Sequence, residues 1–280
     1  RAAPDAQARR RLGVAADVVG GLFLLQHGGQ LLGEVGLGVL GKRGDRRLQF
    51  SERKGVPMTH RLRSATIIGP SGKGTFRNRF NYGVGRWITI QGLKARPSTG
   101  QIRAWLVRTD YERSGRFECD VDLLNRIYET TLWTFENLSL GGYVVDCPHR
   151  ERMGYGGDAH ATIRMALGNY GLGAFYTKWA QDWRDVQGRS STWGVGIPEG
   201  QAGAGTQIEP GNLPHTAPTY WGGGGPAWSG FCITLPWEVY LQYGDIRVLE
   251  ENFPMMQGWL GFLETRAKDD LLVRWGGEWD

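Results

Sequence analysis

Cysteine is scarce in this chain: Cys119, Cys147 and Cys232 are the only three in 280 residues. An odd number of widely spaced cysteines gives neither a disulfide framework nor a CxxC metal pair. Histidine is scarce too, with five scattered residues. Cys147 and His149 stand two apart, but no second pair accompanies them, so no metal site is expected and nothing calls for another cofactor. No apolar run is long enough to span a membrane. A leader peptide is only imitated: Arg9 to Arg11 precede an apolar stretch at 14–25 that Asp17 interrupts, with no small-residue cleavage site after it. Cytoplasmic and secreted locations therefore both fit. The net charge is a mild +5, and the basic residues do not gather in a nucleic-acid-reading motif. Neither nucleic acid nor membrane is an expected partner, and the sequence is silent on oligomeric state. Gly69-Pro70-Ser71-Gly72-Lys73-Gly74-Thr75 looks like a phosphate loop, but the spacing is wrong and Gly74 stands where Ser or Thr should bind magnesium. A turn between strands is the better reading.

What the chain does have is aromatic residues, twelve Trp and ten Tyr, many of them in glycine-rich stretches. Aromatic platforms for a ligand lie in such places, although any single Trp more often serves the core. With 40% hydrophobic residues, the length suits one large domain or two smaller ones. Residues 1–50 carry neither the helix nor the strand period and receive no assignment. Leu22 to Leu25 fits a buried strand, and a disordered segment or a non-native, out-of-frame start would account for the rest. From residue 51 short strands are predicted at 65–68, 86–91 and 102–107, divided by Gly and Pro turns. That pattern indicates an antiparallel β-sandwich over 51–115.

Near residue 118 the period changes. Asp120 is a candidate helix cap, and Leu124, Ile127, Tyr128, Thr131, Leu132 and Phe135 then share one helix face. Further helices are predicted at 159–167, across Phe175, Tyr176, Trp179, Trp183 and Val186, and at 233–243 with Pro236 in the first turn. A short helix at 248–253 and a longer one at 255–267 follow. Residues 189–228 read as one long loop, a length that is usually functional. Strands first and helices after argue for a β domain followed by an α domain over 116–280.

The run that organises the chain is Asp146-Cys147-Pro148-His149-Arg150-Glu151-Arg152-Met153-Gly154-Tyr155-Gly156-Gly157-Asp158. It joins two helices, and Pro148 stops a helix from running through it. Two carboxylic acids flanking a scissile bond are what glycoside hydrolysis requires. Here Asp146, Glu151 and Asp158 can converge on one pocket while Arg150 and Arg152 hold them. Neighbouring carboxylates raise the pKa of a proton donor and arginines oppose that. The spacing also fits a plainer alternative, with Asp158 capping the next helix and the arginines paired to surface acids.

The same run resembles the signature of the α-L-rhamnosidases, inverting glycoside hydrolases with an (α/α)6-barrel catalytic domain. The resemblance extends from about Ser51 to the end. It includes Val107-Arg108-Thr109-Asp110 and Leu124-Asn125-Arg126-Ile127-Tyr128 before the run, and Leu235-Pro236-Trp237-Glu238 and Tyr243-Gly244-Asp245 after it. It implies that Glu151 is the general acid. Asp146 and Asp158 become the carboxylates that bind sugar hydroxyls and set the acid's environment, with Arg150 beside them. Trp228 and Trp237 are candidate platforms for the sugar's C–H face, and Trp193 and Trp221 are further candidates. The partner implied is a rhamnoside, whose methyl group needs an apolar wall and whose hydroxyls need acids and amides.

The chain departs from the family in three places. Some members carry an extra acid between the arginine and the glutamate. Tyr155 stands where Trp is frequent, and Ser229-Gly230 follows Trp228 where an acid often occurs. A barrel of six helical hairpins needs twelve helices, whereas the stretch after Asp120 shows roughly six. The expectation is therefore a truncated barrel, inactive alone, whose general base lies beyond Asp280, because Glu199, Glu209 and Glu278 sit in no matching motif. Two rival readings remain: another (α/α)6 hydrolase acting on a different sugar, and a non-catalytic carbohydrate-binding protein. A panel of glycosides separates the first, and binding without turnover would mark the second.

Overall fold

The computed structural model describes residues 107–148, 152–191, 206–223 and 225–272, together with Ser98 and the backbone of the strands that precede residue 107. The chain divides into two compact units, Arg1–Val107 and Arg108–Asp280.

The first unit is built of strands. β1 (Val18–Val19), β2 (Leu22–Leu24), β4 (Gly44–Ser51), β5 (Arg63–Ile68) and β8 (Trp87–Gln91) form an antiparallel sheet in the order β1-β2-β8-β4-β5. β3 (Leu32–Leu40) pairs antiparallel with β6 (Lys73–Phe76), β7 (Gly83–Val84) and β9 (Ile102–Leu106). β2, β5, β8 and β9 coincide with apolar or alternating runs in the sequence. β3 has glycine at 33, 36 and 38, so no side-chain alternation marks it. Lys73 opens β6 rather than a helix, as a turn between strands requires and a phosphate loop does not.

The second unit is helical. α1 (Asp122–Leu138) begins two residues after Asp120, and no side chain caps it. Instead Asn125 reaches back to Cys119, accepting its N–H at 2.9 Å and donating to its carbonyl at 2.7 Å. The predicted apolar face is buried only at its far end. Leu132 and Phe135 are 1% exposed, whereas Leu124 is 46% and Ile127 52% exposed. The helical period is as expected, but in the first two turns of that face only Tyr128 is covered among the described residues, by Phe117 and Arg113.

α2 (Gly156–Asn169) also corrects an expectation: Tyr155 precedes the helix, and Asp158 stands inside the first turn rather than at the cap. A backbone contact from another loop holds the helix start instead, Gly156 N–H to the His215 carbonyl at 2.9 Å. α3 (Gly173–Val186) buries Tyr176, Trp179 and Trp183 completely. Truncating any one of these aromatic side chains would cost roughly 3–5 kcal/mol.

The region read as one long loop contains a hairpin, β10 (Arg189–Ser191) with β11 (Thr206–Ile208), paired antiparallel. A single-turn helix, α4 (Pro226–Ser229), then leads into α5 (Phe231–Tyr243). Because α5 starts at Phe231, Pro236 is its sixth residue and lies in the second turn, where it denies a donor to the Cys232 carbonyl. Gly244 ends α5 in the left-handed conformation, with φ 71° and its N–H on the Tyr240 carbonyl. The two helices expected after it are one, α6 (Arg247–Glu264), which runs through Pro254. Arg184 of α3 donates to the Glu251 carbonyl at 2.9 Å, serving an acceptor in the turn that the proline opens.

α2 and α5 run parallel. His160 bonds the Thr234 hydroxyl, and one turn on Arg164 donates to Glu238 at 2.8 Å. The first turns of both helices therefore lie at one end of the pair. The core behind them is aromatic: Trp179 packs edge-on to Phe231 at 5.3 Å, and Trp183 at 6.2 Å.

Candidate active site

The charged run forms a loop closed at its base. Asp146 N–H donates to the Met153 carbonyl at 3.1 Å, and the Asp146 carboxylate accepts the Met153 N–H at 3.3 Å. Inside the loop, Arg152 N–H donates to the Cys147 carbonyl at 3.3 Å, and its guanidinium Nε donates to the Pro148 carbonyl at 2.7 Å. These ties hold Arg152 at φ 59°, a left-handed backbone that costs a non-glycine residue about 1–2 kcal/mol. Tyr143 adds a hydroxyl donated to the Arg152 carbonyl at 3.3 Å. His149, Arg150 and Glu151, the residues this loop carries, lie outside the described residues.

A second connection, residues 210–225, braces the first. Ala217 N–H donates to the Gly154 carbonyl at 3.1 Å, Gly156 N–H to the His215 carbonyl at 2.9 Å, and Tyr155 bridges Thr216. Trp179, fully buried, donates its indole N–H to the Ala217 carbonyl at 3.0 Å. Gly154 sits so close that a Cβ there would lie 2.3 Å from the Ala217 carbonyl oxygen. The charged loop is thus fastened to a neutral one, which is fastened to the core of α3.

Of the predicted residues, the structure gathers three at this end. Asp146 is half-buried at the loop base, Asp158 is exposed in the first turn of α2, and Trp228 is half-buried on α4. The Trp228 indole lies against Gly157 and pairs edge-to-face with His215 at 5.8 Å. Trp237 is not gathered there. It lies six residues into α5, roughly 9 Å along the axis, is 47% exposed and packs on Tyr240. Trp221 is half-buried in the 210–225 connection, while Trp193, Glu199 and Glu278 lie outside the described residues. Glu209 is engaged with Asn212 and Arg266. Ser229 is fully buried, and its hydroxyl is directed at the Leu213 and Pro214 carbonyls at 3.0 and 3.1 Å. It serves the fold, so the departure at 229–230 supplies no substitute for an acid.

Sequence reasoning passed over His160 and His215. Burial pushes the His215 imidazole down to about 4, and it lowers His160 as well, so both rings are neutral near pH 7. A histidine three residues after a Gly-Gly pair on a helix was the available signal for His160. His215 had none, because its partners are a loop glycine and Trp228. Among the described residues no group of three or more His, Cys, Asp or Glu could hold a metal ion, and no helix is long and apolar enough to cross a membrane. Chemically, the arrangement offers a pinned, acid-bearing loop, a carboxylate at a helix head and an indole beside it.

Comparison with known proteins gives this arrangement a family. Residues 112–279 match the six-hairpin glycosidase domain of bacterial α-L-rhamnosidases. An α-L-rhamnosidase of Formosa agariphila is 33% identical over 214 residues, which are 76% of this chain and 22% of that protein. One of Streptomyces avermitilis is 31% identical over 265 residues, 90% of this chain and 24% of that protein. The chain thus spans less than a quarter of the length of these curated relatives. Among solved structures, the α-L-rhamnosidase from Dictyoglumus thermophilum matches with a TM-score of 0.75 at 27% identity, over 92% of this chain and 28% of that one. The Streptomyces avermitilis α-L-rhamnosidase complexed with L-rhamnose matches with a TM-score of 0.73 at 26% identity, over 89% of this chain and 23% of that one. With well over half of its length matched to that domain, the chain belongs to the bacterial α-L-rhamnosidase family of six-hairpin glycosidases.

Proposed function

We propose that the chain supplies the acid-bearing part of an inverting α-L-rhamnosidase, which hydrolyses terminal α-L-rhamnose from glycosides or polysaccharides. One observation carries the reading: within the stretch matched to the six-hairpin glycosidase domain, the run 146–158 forms a loop pinned by Asp146 and Met153 at the head of α2. In this proposal Glu151 protonates the leaving oxygen. Asp146, Arg150 and Asp158 bind the sugar hydroxyls and set the acid's environment. Trp228 faces the C–H side of the ring, and Trp237 offers apolar surface deeper along α5. A second carboxylate, ~6.5–9.5 Å from the acid, activates water in an inverting enzyme. The relative solved with L-rhamnose supports the choice of sugar.

We further propose that 51–115 belong to an accessory β-sandwich and that 116–280 open an (α/α)6 barrel. Two antiparallel sheets support the first part, and the parallel pairing of α2 with α5 supports the second. The pairing of β3 with β9 and of β4 with β8 supports extending the sandwich back into the first fifty residues.

The test is Glu151→Gln in the whole natural protein. The amide keeps the shape of the side chain but has no acidic proton to donate. Turnover of an unactivated rhamnoside should fall by about 10²–10⁴-fold while rhamnose binding stays measurable. Turnover near the parental rate would overturn the assignment.

A further inference from the structure

We propose that Gly157 and His160 on α2 are positioning residues that fix where the Trp228 indole stands. The inference rests on the reading of Trp228 as a sugar platform and deepens it by naming what aims that platform.

Two successive glycines open α2, although glycine is among the poorest helix formers. Close approach explains both. A Cβ on Gly156 would lie 1.9 Å from the Trp228 carbonyl oxygen, and one on Gly157 would lie 2.9 Å from the Trp228 Nε1 and 3.0 Å from Cε2. The backbone of Trp228 therefore rides on Gly156, and its indole rides on Gly157.

One turn on, His160 grips the segment that bears the tryptophan. Its Nδ1 lies 3.1 Å from the Ala227 carbonyl, its Nε2 bonds the Thr234 hydroxyl, and its ring stands edge-on to Phe231 at 5.2 Å. A carbonyl only accepts, so Nδ1 carries the proton and Nε2 accepts from Thr234. The residue before Trp228 and the first turn of α5 are thus tied to one ring. The indole has limited freedom to give way. It also touches His215, and that ring is backed by Gly222, where a Cβ would come 2.3 Å from Cδ2. A methyl group at 157 must then displace the indole rather than merely crowd it.

The test uses the whole natural protein with 5-fluorotryptophan incorporated, the Trp228 ¹⁹F resonance being assigned by its loss in Trp228→Phe. Gly157→Ala and His160→Leu should each shift that resonance and raise the KM for a rhamnoside about fivefold, with kcat within about twofold, as loss of an aromatic contact predicts. His160→Asn, which keeps a donor near the place of Nδ1, should bring both readouts most of the way back. An unmoved Trp228 resonance in folded Gly157→Ala overturns the proposal. So does a fall in kcat at unchanged KM, or a His160→Asn variant no better than His160→Leu. The platform reading fails separately, if Trp228→Ala leaves KM at the parental value while Gly157→Ala still moves the resonance.

Discussion

The two connections that meet at the head of α2 are made of opposite materials. Residues 139–155 carry Asp146, Arg150, Glu151 and Arg152, whereas residues 210–225 contain no Asp, Glu, Lys or Arg at all. The charged connection ties to itself through the Asp146–Met153 closure and the bonds around Arg152, and leans on its neighbour for the rest. The neutral connection is buried at Asn212, Leu213, His215, Thr216 and Ala217, and reaches the core through Trp179. Residues suited to meeting a ligand are thus kept in place by residues that would never be picked out as a site.

Breaking the neutral side should have the largest effect. Trp179→Ala removes a fully buried indole and its bond to the Ala217 carbonyl. It should destabilise the chain by about 4 kcal/mol or more, measured by urea melts. A loss under about 1 kcal/mol would show that the neutral connection does not depend on α3.

Acid should reach the same connection next. His215 has its folded pKa lowered to about 4 by burial, against about 6.5 unfolded. The unfolded chain then binds the proton first. The contribution is intact above pH 6.5 and is lost as pH falls from there to about 4, by an amount on the order of 3 kcal/mol. His160, also lowered, acts in the same direction. His215→Gln should flatten this part of the stability–pH curve whatever it does at pH 7, and an unchanged slope in stepwise melts would remove His215 as its cause.

Altering the charged side should matter least for folding. Tyr143→Phe deletes only the hydroxyl donated to the Arg152 carbonyl at 3.3 Å, a change of about 0.5–1 kcal/mol. Its expected signature is a drop in turnover larger than its drop in stability, because Arg152 adjoins Glu151. Equal, small changes in both would mean that the loop's own closure is sufficient.

Much of the helical unit was legible from sequence because its cues are local. Phe175, Tyr176, Trp179, Trp183 and Val186 mark α3 by spacing alone, and the run 146–158 declares itself as a charged joint between helices. What was not legible depends on partners far away in the chain. Pro254 reads as a stop between two helices. α6 nevertheless continues, with an acceptor in the opened turn served by Arg184, 67 residues earlier. Asp158 reads as a cap, yet His215 supplies the contact at the head of α2. Leu124 and Ile127 have the spacing of buried residues, but no spacing reveals whether a neighbour is present to cover them. Of the residues proposed for the site, Asp146 and Trp228 were named from the sequence. Gly157 and His160 were not, because what they do appears only when α4 is laid across α2.

The parallel course of α2 and α5 has an electrostatic consequence. Peptide dipoles add along each helix to roughly half a positive charge at its start. Two starts side by side, with Asp158 in one of them, make a standing positive field at the end of the helix pair where the sugar is proposed to bind. A ring that gains positive charge as its glycosidic bond breaks is opposed by such a field. Asp158, standing in the first turn of α2, lies within that field and offsets part of it.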